Sequence, residues 1–176
     1  AAAASNDTAP VLMTLGATVV FESPRGRREV LVDEIWKADG IWNKKAERDE
    51  ILTELRVPAQ APGHRGAYGK LRDRGEIDYS LFGCAVRLAL GDDGTVPDAD
   101  LVCVALVARP LRIKRVAEAL VGKTPGTAAF RAAAQEVQEG PVGEDHQNGP
   151  GQQQPERGGA TGRFAEWVTV GQGHLQ

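Results

Sequence analysis

Residues Glu50–Pro58 read EILTELRVP, and residues Gly66–Ala85 read GAYGKLRDRGEIDYSLFGCA. The first stretch is rich in Ile, Leu, Thr and Val. It predicts a strand over Glu50–Val57, closed by Pro58, which has no N–H to give to a ladder. Gln60–Arg65, which contains Pro, Gly and His, predicts a loop and a subdomain boundary. Beyond it, Tyr68–Arg72, Ser80–Leu90 and Leu101–Ala108 predict three strands. The last two are joined by GDDGTVPDAD, a turn rich in Gly and Asp. Ile113, Val116, Ala117 and Leu120 recur at i, i+3, i+4 and i+7, which predicts a helix over Arg112–Val121 ended by Gly122. Thr124 is placed to cap a second helix from Ala128 to about Val137. The expected fold class is therefore α+β: a three-stranded antiparallel sheet packed with helices on one face.

Upstream, Ser5, Asn6, Asp7 and Thr8 all suit a helix N-cap and Pro10 suits a first turn, so a helix through Val11–Leu15 should stop at Gly16. ATVVFES and EVLVDEI flank PRGRR and predict a hairpin, followed by an irregular connection over Ile35–Lys45. After Glu139 the composition changes. Residues 140–176 hold nine Gly, six Gln and three Pro, 18 of 37 residues, too few apolar groups to offset the entropy of ordering. This segment is expected to be a disordered or aberrant tail.

The chain has 176 residues, enough for one ordinary domain or two small ones. Its net charge of −3 lacks the basic surplus that nucleic-acid binding requires, so no nucleic-acid partner is expected. Cys84 and Cys103 lie in apolar runs with no CxxC and no nearby His, which reads as two buried, reduced thiols and no metal site. The longest N-terminal apolar run, Val11–Phe21, is too short to span a bilayer and has no positive segment before it. A cytoplasmic protein without a membrane span is expected. His64, His146 and His174 have no partner at a catalytic spacing, and no catalytic acid–base residue is assigned.

The order of strand, proline, Gly/His/Pro loop, strand lysine and charged turn resembles the C-terminal half of the FAD-binding (medium) subunit of molybdenum hydroxylases. This group includes xanthine dehydrogenase, carbon monoxide dehydrogenase and 4-hydroxybenzoyl-CoA reductase. The resemblance covers about Ala2–Val137, and KLRDRGEIDYS together with Asp39–Ile41 looks most like the last branch. It implies that residues 1–58 are the end of an FAD-binding domain and residues 66–139 a C-terminal α+β domain. The chain opens on Ala1 and contains no GxGxxG, so an N-terminally truncated subunit is expected, one that alone would be inactive.

The same resemblance implies the site. AAASNDTAP is similar to the family's Ala-Ser-Pro-x-x-Asp and places Asp7 at a carboxylate that contacts FAD; Asp7 is equally suited to capping the helix, and one residue could do both. Leu52 matches a leucine lying against the cofactor, although core packing also accounts for an apolar strand residue. Lys70 matches a lysine near the flavin, where a cation stabilises negative charge developing on reduction; the other reading is a solvated head. Asp78, in Ile77-Asp78-Tyr79, follows the family's acid after the charged turn, and Arg72–Asp78 resembles the loop that controls access to the flavin edge. Otherwise it is an ordinary charged turn. The family implies an electron relay through FAD, with an iron–sulfur small subunit (2Fe–2S) and a molybdopterin large subunit as partners. Arg109, Arg112, Lys114 and Arg115 would then be either a solvated face or a contact with those partners. The chain departs from the family where VARPLRIK replaces a Gly-rich turn and where the Gly/Gln/Pro tail replaces a basic packing helix. The alternative function is a non-enzymatic interaction module whose apolar sheet face docks a protein.

Overall fold

A computed structural model describes residues 6–37, 39, 41–72 and 79–139. The expected tail and Asp78 lie outside the described residues. Helix α1 (Thr8–Thr14) is followed by strands β1 (Thr18–Ser23) and β2 (Gly26–Leu31), a 3₁₀ turn over Val32–Ile35, and β3 (Ile51–Arg56). Then come β4 (His64–Leu71), β5 (Phe82–Ala89), β6 (Asp98–Val104), β7 (Leu111–Arg112), α2 (Lys114–Leu120) and α3 (Thr127–Glu139). Two antiparallel sheets result, ordered β2-β1-β3 and β4-β5-β6-β7.

The hairpin forms where expected, with Ser23 opposite Gly26. Only the EVL of EVLVDEI stays in the strand. VDEI coils into the 3₁₀ turn because Val32 and Ile35, three residues apart, both find the core at that spacing. Val32 N–H also bonds the Ala17 carbonyl at 2.9 Å, which turns the chain under α1. The second helix begins at Thr127, beyond Thr124, and the Phe130 N–H bonds the Gly126 carbonyl at 3.0 Å.

The three expected strands pair in chain order, and the two-residue β7 adds a fourth at the edge. β6 explains why LVCVALV is apolar without alternation: its two faces feed two cores. Leu101 and Cys103 join Phe82, Cys84, Leu88, Val116, Leu120, Ala133 and Ala134 beneath α2 and α3. Val102 points the other way, among Ala9, Met13, Val19, Phe21, Ile35 and Trp36. The large sheet is thus covered by helices on both faces, not one, with α1 wedged against β5 and β6. Cys84 and Cys103 sit directly opposite each other, buried and free. Among the described residues, no helix is long and apolar enough to cross a membrane.

Arg112 ties these layers together. Its guanidinium bonds Asp100 on β6, Asp33 in the 3₁₀ turn (2.6 Å) and the Met13 carbonyl at the end of α1 (3.1 Å). Arg87 reaches the Thr14 carbonyl at 2.8 Å and Asp98 at 2.7 Å. The basic run is therefore not one solvated face: Lys114 and Arg115 are exposed, but Arg112 turns inward to cap the carbonyl end of α1, where a cation suits the helix dipole. Gly16, at φ +67°, lets the chain leave that helix in a left-handed turn.

Candidate functional site

The site grows from two alternate positions on β4. Tyr68 and Lys70 are two residues apart in a strand and so share a face. They meet Asp7, the residue just before α1, which is carried there by the packing of Ala9 and Met13 on the core. Tyr68 donates its O–H to Asp7 Oδ1 at 2.7 Å, and Lys70 Nζ donates to Oδ2 at 2.8 Å. The Lys70 side chain is only 22% exposed, so it is not a free, solvated head.

Asp7 is available for this because it does not cap the helix. Asn6 does: its Oδ1 accepts from the Thr8 N–H at 3.0 Å and the Ala9 N–H at 2.9 Å, while the Asp7 carboxylate makes no cap bond. Partial burial works to raise the Asp7 carboxyl. The hydrogen bonds from Lys70 and Tyr68, with the charges of Lys70 and Arg72, outweigh it and hold the acid below its ordinary value. Burial first, and then the Asp7 acceptor, push the Tyr68 phenol well above its ordinary value, so it remains a donor at neutral pH.

The neighbouring strand makes room. Gly83 pairs with Lys70, and Ala85 pairs with Tyr68. A Cβ added at Gly83 would lie 2.7 Å from Tyr68 Oη and 2.7 Å from Val104 Cγ2, so only glycine leaves the phenol its path to Asp7.

Leu52 stands apart from this trio, in β3 of the other sheet, opposite Phe21. It is 47% exposed, so core packing does not account for its apolar character. Ile51, Leu55 and Val57 are exposed with it. The start of this strand is held by Arg28, whose guanidinium forks onto Glu50 at 2.6 and 2.7 Å and lies 4.6 Å from the centre of the Phe21 ring. Of the four residues expected at the cofactor, then, the structure brings Asp7 and Lys70 together, sets Leu52 on a separate exposed strand, and does not describe Asp78. Tyr68 escaped the sequence reading, and Asn6 was one of four residues suited to the cap, of which it is the one that caps. The i, i+2 spacing of Tyr68 and Lys70 was the available signal for the first.

The geometry offers, on one partly exposed surface, a carboxylate acceptor and an ammonium donor held in register. Such a pair can accept a hydrogen bond from a hydroxyl and donate one to a polar acceptor of a bound molecule.

Residues 66–142 match the family model for the CO dehydrogenase flavoprotein C-terminal domain. The chain is 33% identical over 129 residues to a carbon monoxide dehydrogenase medium chain of Hydrogenophaga pseudoflava, covering 73% of this chain and 44% of that one. It is 30% identical over 119 residues to a nicotinate dehydrogenase FAD-subunit of Eubacterium barkeri, covering 67% and 40%. Among solved structures, a carbon monoxide dehydrogenase from Hydrogenophaga pseudoflava superposes with a TM-score of 0.73 at 28% identity, over 96% of this chain and 55% of that chain. The chain spans about two fifths of the length of these curated relatives. Residues 66–142 are thus a CO dehydrogenase flavoprotein C-terminal domain, and the curated relatives that share it are FAD or medium subunits of dehydrogenases.

Proposed function

We propose that this chain is part of an FAD-binding electron-transfer subunit, relaying electrons between iron–sulfur clusters and an acceptor or donor in a molybdenum-containing dehydrogenase. Residues 1–58 then form the end of the FAD-binding domain and residues 66–139 the C-terminal domain, with an iron–sulfur small subunit and a molybdopterin large subunit as partners. The observation that carries this reading is the Asp7–Lys70 pair, built from two segments 63 residues apart and left partly open. The solved Hydrogenophaga pseudoflava enzyme supports the setting, since it is a carbon monoxide dehydrogenase, in a form that lacks the Mo-pyranopterin moiety of its molybdenum cofactor.

Bound FAD would supply reversible storage of electrons. Asp7 would accept from a cofactor hydroxyl, and Lys70 would place positive charge where negative charge develops on reduction. Leu52 would contribute apolar contact and Asp78 a polar one. No residue of the chain is asked to move a proton in catalysis. Because the sequence lacks a Gly-rich phosphate loop, this polypeptide alone should bind FAD weakly or not at all.

The test is a chimera in which this chain replaces the segment it matches in the Hydrogenophaga pseudoflava medium chain. The chimera should bind FAD in a stable ratio, and Lys70→Ala should weaken binding and shift the flavin potential. Unchanged affinity and potential would remove Lys70 from the site. A second reading, the non-enzymatic docking module, draws on the exposed apolar residues of β3. It predicts that the chimera holds no flavin at all.

A further inference from the structure

We propose that Tyr68 is the positioning residue of the flavin-facing acid: its O–H fixes the Asp7 carboxylate against β4, through a gap that Gly83 keeps open. This rests on the reading of Asp7 and Lys70 as cofactor-facing groups. A lone Asp7–Lys70 contact would leave the carboxylate free to rotate about its terminal torsion, which is broad for aspartate. With Tyr68 on Oδ1 and Lys70 on Oδ2, both oxygens are pinned and the plane of the carboxylate is set. An ionised carboxylate has about four acceptor sites, so two remain for a hydroxyl beyond these donors. An ammonium has three N–H donors, of which Asp7 takes one.

The assignment to the hydroxyl, not to the ring, follows from the packing. Phenylalanine would fill the same volume beside Ala85, but only tyrosine carries a donor to Asp7. Gly83 is the complementary feature: the phenol oxygen occupies the space where a side chain of β5 would otherwise sit.

Tyr68→Phe and Gly83→Ala in the full chain test the first half, by a carbon-13 carboxyl NMR titration of Asp7. Both variants should move the Asp7 midpoint upward, since each removes a donor to the ionised form. An unmoved midpoint in Tyr68→Phe overturns the proposal, and that arm decides whether or not Gly83→Ala folds. The second half uses the chimera. Tyr68→Phe should weaken FAD binding by roughly threefold to tenfold, the size of one ordinary net hydrogen bond, because Tyr68 acts on the cofactor only through Asp7. Equal affinity in Tyr68→Phe, with binding weakened by Asp7→Asn and Lys70→Ala, overturns the positioning role and leaves the flavin reading standing. If all three variants bind FAD as the parent does, the flavin reading itself falls and the proposal goes with it.

Discussion

The two sheets are built from similar numbers of strands but are finished differently. The β4–β7 sheet has helices on both faces, and its central strands bury Phe82–Ala85 and Leu101–Val104 as unbroken runs. The β1–β3 sheet buries the middle of β1 but leaves three apolar side chains of β3 exposed, Ile51, Leu52 and Leu55, with Val57 just past its end. Where a strand is enclosed, its apolar residues are explained by the core they fill. Where it is not, the same residue types describe a surface made for something else. Leu52 and Leu55, paired with Phe21 and Val19, share one face of the strand, and exposed apolar side chains so placed suit contact with a ligand or another polypeptide.

The sharpest way to break that contrast is truncation on each side. Phe82, fully buried at 0% exposure, should cost about 3–5 kcal/mol when changed to Ala, through lost transfer energy and the cavity left behind. Leu52→Ala should change denaturant stability by less than about 1 kcal/mol. A large loss at Leu52 would show that β3 carries core weight after all. Next in size is the joint between the sheets. Arg112→Ala leaves Asp100, whose side chain is 13% exposed, without its partner and strips a donor from the end of α1. A loss of about 2–3 kcal/mol is expected in urea unfolding. A second transition would show that the two sheets had become separate cooperative units.

The smallest effect is on acidification. Glu50 is held at about 2, first by the Arg28 fork and then by the Glu47 N–H, and Asp7 is held below its ordinary value. Groups depressed in the folded state contribute stability that is present above their unfolded values, near 4, and is lost as pH falls towards the folded ones. Stability should therefore decline between about pH 5 and pH 2, and Glu50→Gln should flatten part of that slope. An unchanged slope would detach β3 from its Arg28 anchor.

Much of this was written in the chain. The i, i+3, i+4, i+7 series of α2 and the Val/Leu/Cys runs of β5 and β6 carry their periodicity in one short window each, so they were legible. Other features depend on what lies across the fold. VDEI alternates like a strand, yet two of its side chains reach the core only when it coils. Arg112 reads as one charge in a basic run, and nothing local says that Asp33 and the Met13 carbonyl will be within reach. At the site, Asp7 and Lys70 came from resemblance, whereas the division of labour between Asn6 and Asp7 follows from which side chain turns back to the Thr8 and Ala9 N–H groups. Tyr68 was hidden for a different reason: its meaning depends on Gly83 of the next strand, two residues from its own pairing partner Ala85.

Arg112 also has a consequence for the order of folding. Its bonds to Asp33 and Met13 close loops of 79 and 99 residues, whereas its bond to Asp100 spans 12. Closing the longer loops costs chain entropy that local contacts do not repay, so the β6–β7 bond forms early and the reach to α1 and the 3₁₀ turn comes late. A contact made after the rate-limiting step slows unfolding more than it speeds folding. Arg112 is in that sense a latch: it sets how long the two halves, once joined, stay joined.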